Sequence, residues 1–109
     1  MNTQPNFDGV RWTARADLTS GVAQTILCAS AEFLTIGITV PAGGSVWVET
    51  SASSTAHVAA GTAKFYRAEG LGAGGVVTSS MLDVIDGPIT AVRATATGAG
   101  ACIETLQGG

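Results

Sequence analysis

The stretch 33-FLTIGITVPAGGSVWVET-50 indicates the fold class more clearly than any other part of the chain. The aliphatic residues at even positions from 34 to 40 share one face of an extended segment, and mainly small polar residues share the other. This period of two is the pattern of a β-strand with one buried face. The segment 41-PAGG-44 predicts a turn, since proline removes a backbone donor and glycine tolerates tight bends. Alternation resumes over 45-SVWVET-50, so we expect a β-hairpin here.

The same alternation recurs along most of the chain. It predicts further strands at 11–16, 22–28, 63–68, 76–80, 89–97 and 101–106. Turn segments separate nearly all of them, at Gly61, 70-GLGAGG-75 and 86-DGP-88. Helical signals are confined to 79-SSMLDVID-86, which is long enough for one turn with a serine cap. We therefore predict an all-β fold, an antiparallel β-sandwich or a jelly-roll-like small barrel of about seven or eight short strands.

The length of the chain predicts one structural domain. A chain of 109 residues lies near the common domain size and leaves no room for a second core. Residues 1–9 are polar apart from Phe7 and predict an N-terminal arm, so the β-domain is expected over residues 10–109. The segment 50-TSASSTAHVAAG-61 is rich in serine and alanine and predicts an exposed loop.

Charge is scarce in this chain. Charged residues make up 12% of it, and small uncharged side chains suit packing against a neighbouring subunit, so we expect an oligomer. The net charge is −3 and the basic residues are scattered, which argues against a nucleic-acid partner. The N-terminus lacks the pattern of a secretory signal peptide, and the longest apolar run is too short to span a membrane.

No residue pattern predicts catalysis, a cofactor site or a metal site. His57 is the sole histidine and has no identifiable base-orienting partner. Asp83 and Asp86 lie close together but are better explained by a turn. Cys28 and Cys102 lack metal-ligand spacing, and both are expected to be reduced, buried thiols.

The glycine pair Gly98 and Gly100 raises the possibility of a phosphate-binding loop. Such a loop needs a helix after it, whereas 101-ACIETL-106 alternates like a strand. The glycines are therefore expected to turn a hairpin with positive φ. Across that hairpin, Glu104 becomes a candidate ion-pair partner for Arg93.

The aromatic residues supply the candidate interaction sites. Trp47 shares its strand face with Glu49 and either covers one end of the core or stacks on a sugar or another protein. In 64-KFYR-67, Phe65 and Tyr66 point to opposite faces, so one ring is expected in the core and the other at the surface. The candidate protein-interface residues are Phe7, Trp47, His57 and Tyr66.

Three segments resemble small β-structured proteins of tailed-phage virions. They are 38-ITVPAGGSVWVETS-51, 59-AAGTAKFYRAEG-70 and 87-GPITAVRATATGAGACIETLQGG-109, and the likeness extends from Thr35 to Gln107. Among such proteins, head decoration or cement proteins are the best match for this size and acidity.

The resemblance implies a non-enzymatic structural protein that binds the outside of the capsid shell and stabilises it. Its implied partners are the lattice of the major capsid protein and further copies of itself, as a dimer or trimer, without any cofactor. The implied location is the virion, after assembly in the host cytoplasm. The alternative is a tail or fibre component that recognises a host surface or glycan through Trp47 and Tyr66.

Overall fold

The computed structural model describes residues 2–7 and 12–107 and is nearly all β-structure. The elements in chain order are β1 (Asn2–Thr3), β2 (Asn6–Phe7), β3 (Trp12–Leu18), β4 (Ala23–Thr39), β5 (Ser45–Ser51), α1 (Thr55–Ala60), β6 (Tyr66–Arg67), β7 (Val76–Val77), β8 (Met81–Thr97) and β9 (Ala101–Gln107). The strand pairs are antiparallel except for β1 with β4. The predicted all-β class is confirmed in its first form, an antiparallel β-sandwich, although the described residues form nine strands and two of these are long.

Two long strands organise the molecule. β4 and β8 are each 17 residues long and pair along nearly their whole length. Their register shifts twice between Leu27 and Phe33, and such bulges bend the strand that carries them. Each long strand therefore belongs to one sheet before the bend and to the other sheet after it.

The two sheets share these strands. Sheet I has the strand order β2, β3, β9, β4 and β8, using residues 31–39 of β4 and 81–89 of β8. Sheet II has the order β1, β4, β8, β5 and β6, using residues 23–27 of β4 and 91–97 of β8, with β7 also paired to β5. The core lies between the sheets.

The core follows the predicted alternation. Leu34, Ile36 and Ile38 of β4 are at most 2% exposed, as are Val46 and Val48 of β5. Burying aliphatic side chains of this size contributes roughly 1.5–3 kcal/mol each. Ile103 of β9 and Val92, Ala94 and Ala96 of β8 complete this apolar interior, whereas the inward Thr105 and Gln107 of β9 are buried polar residues.

Both predicted hairpins are wrong, although both turns form. Gly44 N–H donates to the Pro41 carbonyl at 3.0 Å, yet β5 pairs with β8 and not with β4. Similarly, β9 follows β8 across the turn at Gly98 but pairs with β3 and β4. In a sandwich a short turn can cross from one sheet to the other, so neighbours in sequence need not be neighbours in a sheet.

The two crossing turns contact each other. Gly98 has φ +87°, as predicted, and a Cβ there would lie 2.7 Å from the carbonyl oxygen of Gly43. Gly100, in contrast, does not have the predicted positive φ, and its closest approach is to the Leu18 carbonyl. Gly98 therefore serves both the bend and the close packing of the turns.

The remaining differences from the sequence predictions concern local elements. Residues 81–86 begin β8 instead of forming a helical turn, in keeping with their β-branched side chains. The expected loop at 50–61 contains α1, whose N-cap Ser54 accepts the His57 N–H and whose C-cap Gly61 has φ +75°. The strands expected at 63–68 and 76–80 shorten to β6 and β7.

Candidate interaction surfaces

The outward side of sheet II carries a row of paired charges. Arg93 of β8 lies directly opposite Glu49 of β5, which in turn lies opposite Arg67 of β6. Arg93 donates from Nε to Glu49 Oε1 at 3.0 Å and from Nη2 to Oε2 at 3.2 Å. Because both carboxylate oxygens are used, this is the bidentate geometry that gives arginine pairs their specificity.

Both arginines of this row also stack on aromatic rings. Arg67 Cζ lies 4.0 Å from the centroid of the Trp47 ring, and Arg93 Cζ lies 4.2 Å from that of Phe65. The predicted pair between Arg93 and Glu104 is therefore wrong. Glu104 faces Arg15 across β3 and β9, because β9 is not a neighbour of β8.

Helix α1 and the segment after it cover part of this row. Val58 is buried, and together with Thr25, Phe65 and Arg93 it lines a small cavity of about 120 Å³. Lys64 N–H donates to Ser53 Oγ at 3.0 Å, and this hydrogen bond anchors the segment that follows α1. Phe65 thus packs on the outward side of sheet II, and the expectation that one ring of the 64–67 segment enters the core is wrong.

Three of the four predicted interface residues lie in elements of the sheet II side. The Tyr66 ring is 69% exposed, whereas Trp47 is half-buried with one ring face under Arg67. His57 is exposed on α1, with Nδ1 2.8 Å from Thr62 Oγ1. Phe7 lies apart from them, since its backbone pairs with Trp12 at the edge of sheet I.

The outward side of sheet I presents exposed apolar side chains that the sequence did not single out. Phe33 is 63% exposed, Leu82 76% and Val84 54%. Val84 lies opposite Thr35, and Leu82 lies opposite Gly37. A Cβ added to Gly37 would be 3.4 Å from Leu82 Cδ1, so the Leu82 side chain covers this glycine. We call Phe33, Leu82 and Val84 the apolar face.

Sequence reasoning missed the apolar face because 81-MLDVID-86 is not cleanly alternating. Its inward positions include Asp83 and its outward positions include Leu82 and Val84, so the period of two is hidden. The β-branched residues of this segment were the one signal for a strand.

The first half of β8 is also a sheet edge. Among the described residues, positions 81–89 of β8 pair with β4 on one side and with no strand on the other. Asp83 stands at an inward position opposite Ile36 but is exposed, and its Oδ1 accepts the Val84 N–H at 2.8 Å. An inward-pointing charge of this kind protects an edge strand against unintended pairing.

A groove of about 350 Å³ runs beside this edge. One wall is formed by residues 67–70 after β5, and the other by Val84, Ile85 and Asp86 of β8. Thr50 lies between the walls. The groove therefore opens where the edge of sheet I faces the edge of sheet II.

The thiols differ in position but not in the direction of their pKa shifts. Burial raises the pKa of Cys28 to about 12, and Cys28 is 2% exposed between the sheets. Burial also raises the pKa of Cys102, which is half-buried on the outward side of sheet I. Both thiols are therefore protonated at neutral pH and are poor nucleophiles.

The described residues contain no group of three or more histidine, cysteine, aspartate or glutamate side chains that could hold a metal ion. Across the same residues, no helix has the length and apolar character that crossing a bilayer requires.

Comparison with known proteins supports the fold. No protein-family profile and no curated protein sequence matches the chain. Among solved structures, the chain is similar to an oxalate oxidase, with a TM-score of 0.51 and 15% sequence identity. The likeness covers 90% of this chain but 42% of the oxalate oxidase, so this chain spans less than half of that protein's length. At this identity the likeness shows a shared β-fold alone.

Proposed function

We propose that this protein is a non-enzymatic structural component of a phage virion that binds the outside of the capsid shell and stabilises it. The observation that carries the proposal is the apolar face of sheet I. Its three side chains, Phe33, Leu82 and Val84, are each more than half exposed and lie on adjacent strands. Adjoining exposed apolar side chains of this kind mark interaction surfaces in soluble proteins.

The surroundings of the apolar face suit a protein partner. The neighbouring outward positions on β4 are Thr35, Gly37 and Thr39, which are small and uncharged. Burying such a surface desolvates few charges, and interface cores are depleted in charged residues for the same reason. The partners we propose are the lattice of the major capsid protein and further copies of this chain, as a dimer or trimer.

Other features disfavour a nucleic-acid partner and a catalytic role. Arg67 and Arg93 are already engaged by aromatic rings and, for Arg93, by Glu49. Arg15 lies 3.7 Å from Asp17, so these arginines do not form a free basic row for phosphates. The protonated thiols and the exposed His57 lack the paired base that nucleophilic catalysis uses. The proposed location is the virion, after assembly in the host cytoplasm.

The test is co-sedimentation with undecorated phage heads. We expect the protein to pellet with the heads, and Leu82→Ser together with Val84→Ser to reduce bound protein at least about tenfold, since two anchor side chains are lost. Val22→Ser is the matched control, because Val22 is 47% exposed but lies at a turn away from the apolar face. Failure of the unaltered protein to bind any heads would reject the proposal.

A second candidate is a tail or fibre component that recognises a host glycan. The exposed Tyr66 ring favours it, because an open aromatic face can stack on a sugar. Arg67 already occupies one face of Trp47, so Tyr66 carries this hypothesis. Binding to a host polysaccharide that Tyr66→Ala abolishes, with capsid binding absent, would favour it over the first.

A further inference from the structure

The sandwich has two lateral sides where an edge of one sheet faces an edge of the other. On the first side, β1 pairs with β4 at the edge of sheet II and β2 pairs with β3 at the edge of sheet I. Residues 2–7 thus run from one sheet edge to the other as an extended segment. This segment occupies the first side.

The second side is the groove between residues 67–70 and the edge of β8. Its volume of about 350 Å³ lies in the range of ligand clefts, roughly 300–1,000 Å³. Its β8 wall combines an unpaired strand edge with the apolar side chains of Val84 and Ile85. An unpaired edge of this kind can accept an added strand through main-chain hydrogen bonds.

We propose that this groove binds an extended, basic segment of a partner protein as an added β-strand along the free edge of β8. The segment would pair with residues 82–86, place apolar side chains against Ile85, and direct lysine or arginine side chains to the carboxylates of the walls. It would occupy the second side in the way that residues 2–7 occupy the first.

Charge determines the kind of partner. Glu69 on one wall and Asp86 on the other are both exposed, and Asp83 lies three residues before Asp86 on the same edge. Among the described residues, Arg67 is the one basic residue lining the groove, and its guanidinium lies over the Trp47 ring. The groove therefore presents unbalanced negative charge, which attracts a basic segment.

The same charges argue against a second copy of this chain as the occupant. Pairing β8 with its own copy would bring Asp83 and Asp86 of both chains onto one pair of strands. Like charges on adjacent strands destabilise the pair. A segment that carries lysine or arginine has the opposite effect.

Asp83 controls access to this edge. Its Oδ1 accepts the Val84 N–H, so that amide becomes available to a new strand when the carboxylate turns away. A lysine of the incoming segment offers the carboxylate an alternative partner. The proposal concerns the groove, which shares Val84 with the apolar face; Glu69 and Asp86 line the groove outside that face, so variants of these two residues distinguish the proposal from the capsid function.

The test uses a fluorescently labelled seven-residue peptide in which lysine and valine alternate. We expect saturable binding by anisotropy at low salt, weakening as salt is added, and slower hydrogen exchange of the amides of residues 82–86. A peptide with glutamate in place of lysine should not bind. A lysine and valine peptide that is N-methylated on alternate amides should bind at least about tenfold more weakly, because main-chain donors are lost.

Variants of the wall residues locate the site. Asp86→Asn and Glu69→Gln should each weaken binding about two- to fivefold, the range for exposed charge pairs. Glu104→Gln is the matched control, because Glu104 is exposed on β9 and does not line the groove. The proposal would be overturned if the lysine and valine peptide did not bind, or if the glutamate peptide bound equally well. It would also be overturned if the wall variants had no effect, or if slower hydrogen exchange appeared away from β8. If Asp86→Asn and Glu69→Gln still bind undecorated heads, their weaker peptide binding is distinguished from a failure of the proposed capsid function.

Discussion

The outward sides of the two sheets are built differently. Sheet II joins Glu49, Arg93 and Arg67 in one row, stacks both arginines on aromatic rings and lies partly under α1. Sheet I leaves Leu82 and Val84 exposed. The difference shows that the bidentate ion pair and both arginine–aromatic stacks complete the outward side of sheet II. The other face keeps apolar area that the isolated chain does not bury.

The strongest expected effect concerns the ion pair of sheet II. Arg93→Ala should lower the free energy of unfolding by about 2–3 kcal/mol, because it leaves the mostly buried Glu49 carboxylate without its bidentate partner. Urea unfolding followed by circular dichroism measures this loss. The double variant Arg93→Ala with Glu49→Ala should lose less free energy of unfolding than the two single variants lose together. The difference, which is the coupling energy of the pair, should be about 1 kcal/mol.

The control for this pair is Asp17→Ala. It breaks the contact between Arg15 and Asp17, whose side chains are 65% and 83% exposed, and should cost at most about 0.5 kcal/mol. Similar losses for Arg93→Ala and Asp17→Ala would mean that the sheet II pair is no more important than an exposed one, and the comparison between the faces would fail.

A smaller effect is expected at the second arginine of sheet II. Arg67→Ala removes the stack over Trp47 and should cost about 0.5–1 kcal/mol, with a change in tryptophan emission as the ring becomes exposed. Lys64→Ala is the matched control, since Lys64 is an exposed basic residue that stacks on no aromatic ring within the described part of the chain. Unchanged emission in Arg67→Ala would contradict the stacked arrangement.

The smallest effect on stability is expected on the apolar face. Leu82→Ser and Val84→Ser should each change the free energy of unfolding by no more than about 0.5 kcal/mol, because both side chains are already exposed in the folded chain. Ile85→Ser, the inward neighbour on the same strand, should cost at least about 1 kcal/mol because Ile85 packs against the core. Thermal denaturation of the three variants measures the contrast, and a loss for Val84→Ser as large as that for Ile85→Ser would refute it.

The candidate surfaces could be predicted only in part. Trp47 and Tyr66 were identified as interface candidates because aromatic residues beside polar ones are recognisable in sequence, and Tyr66 proves to be exposed. The stacking of Arg67 on Trp47 depends on the pairing of β5 with β6, which has no sequence signature. Leu82 and Val84 are not recognisable in the sequence, because Asp83 at an inward position of their strand hides the period of two.

The sequence by itself determined the all-β fold class and, for the clearest strands, which side is buried. The alternation at 34–40 places Leu34, Ile36 and Ile38 in the core, since side chains point to opposite faces at every step of an extended chain. The positive φ at Gly98 was also predictable, because it depends on local backbone sterics.

Only the tertiary structure decided which strands pair. The turns after Val40 and Thr97 look like hairpin turns, yet both cross between the sheets, and β8 takes its place between β4 and β5. Arg93 meets Glu49 instead of Glu104 for this reason. Strand alternation is a local property, whereas pairing depends on how the two long strands bend at their bulge and share the core. The partners of each side chain therefore follow from the packing of the whole chain.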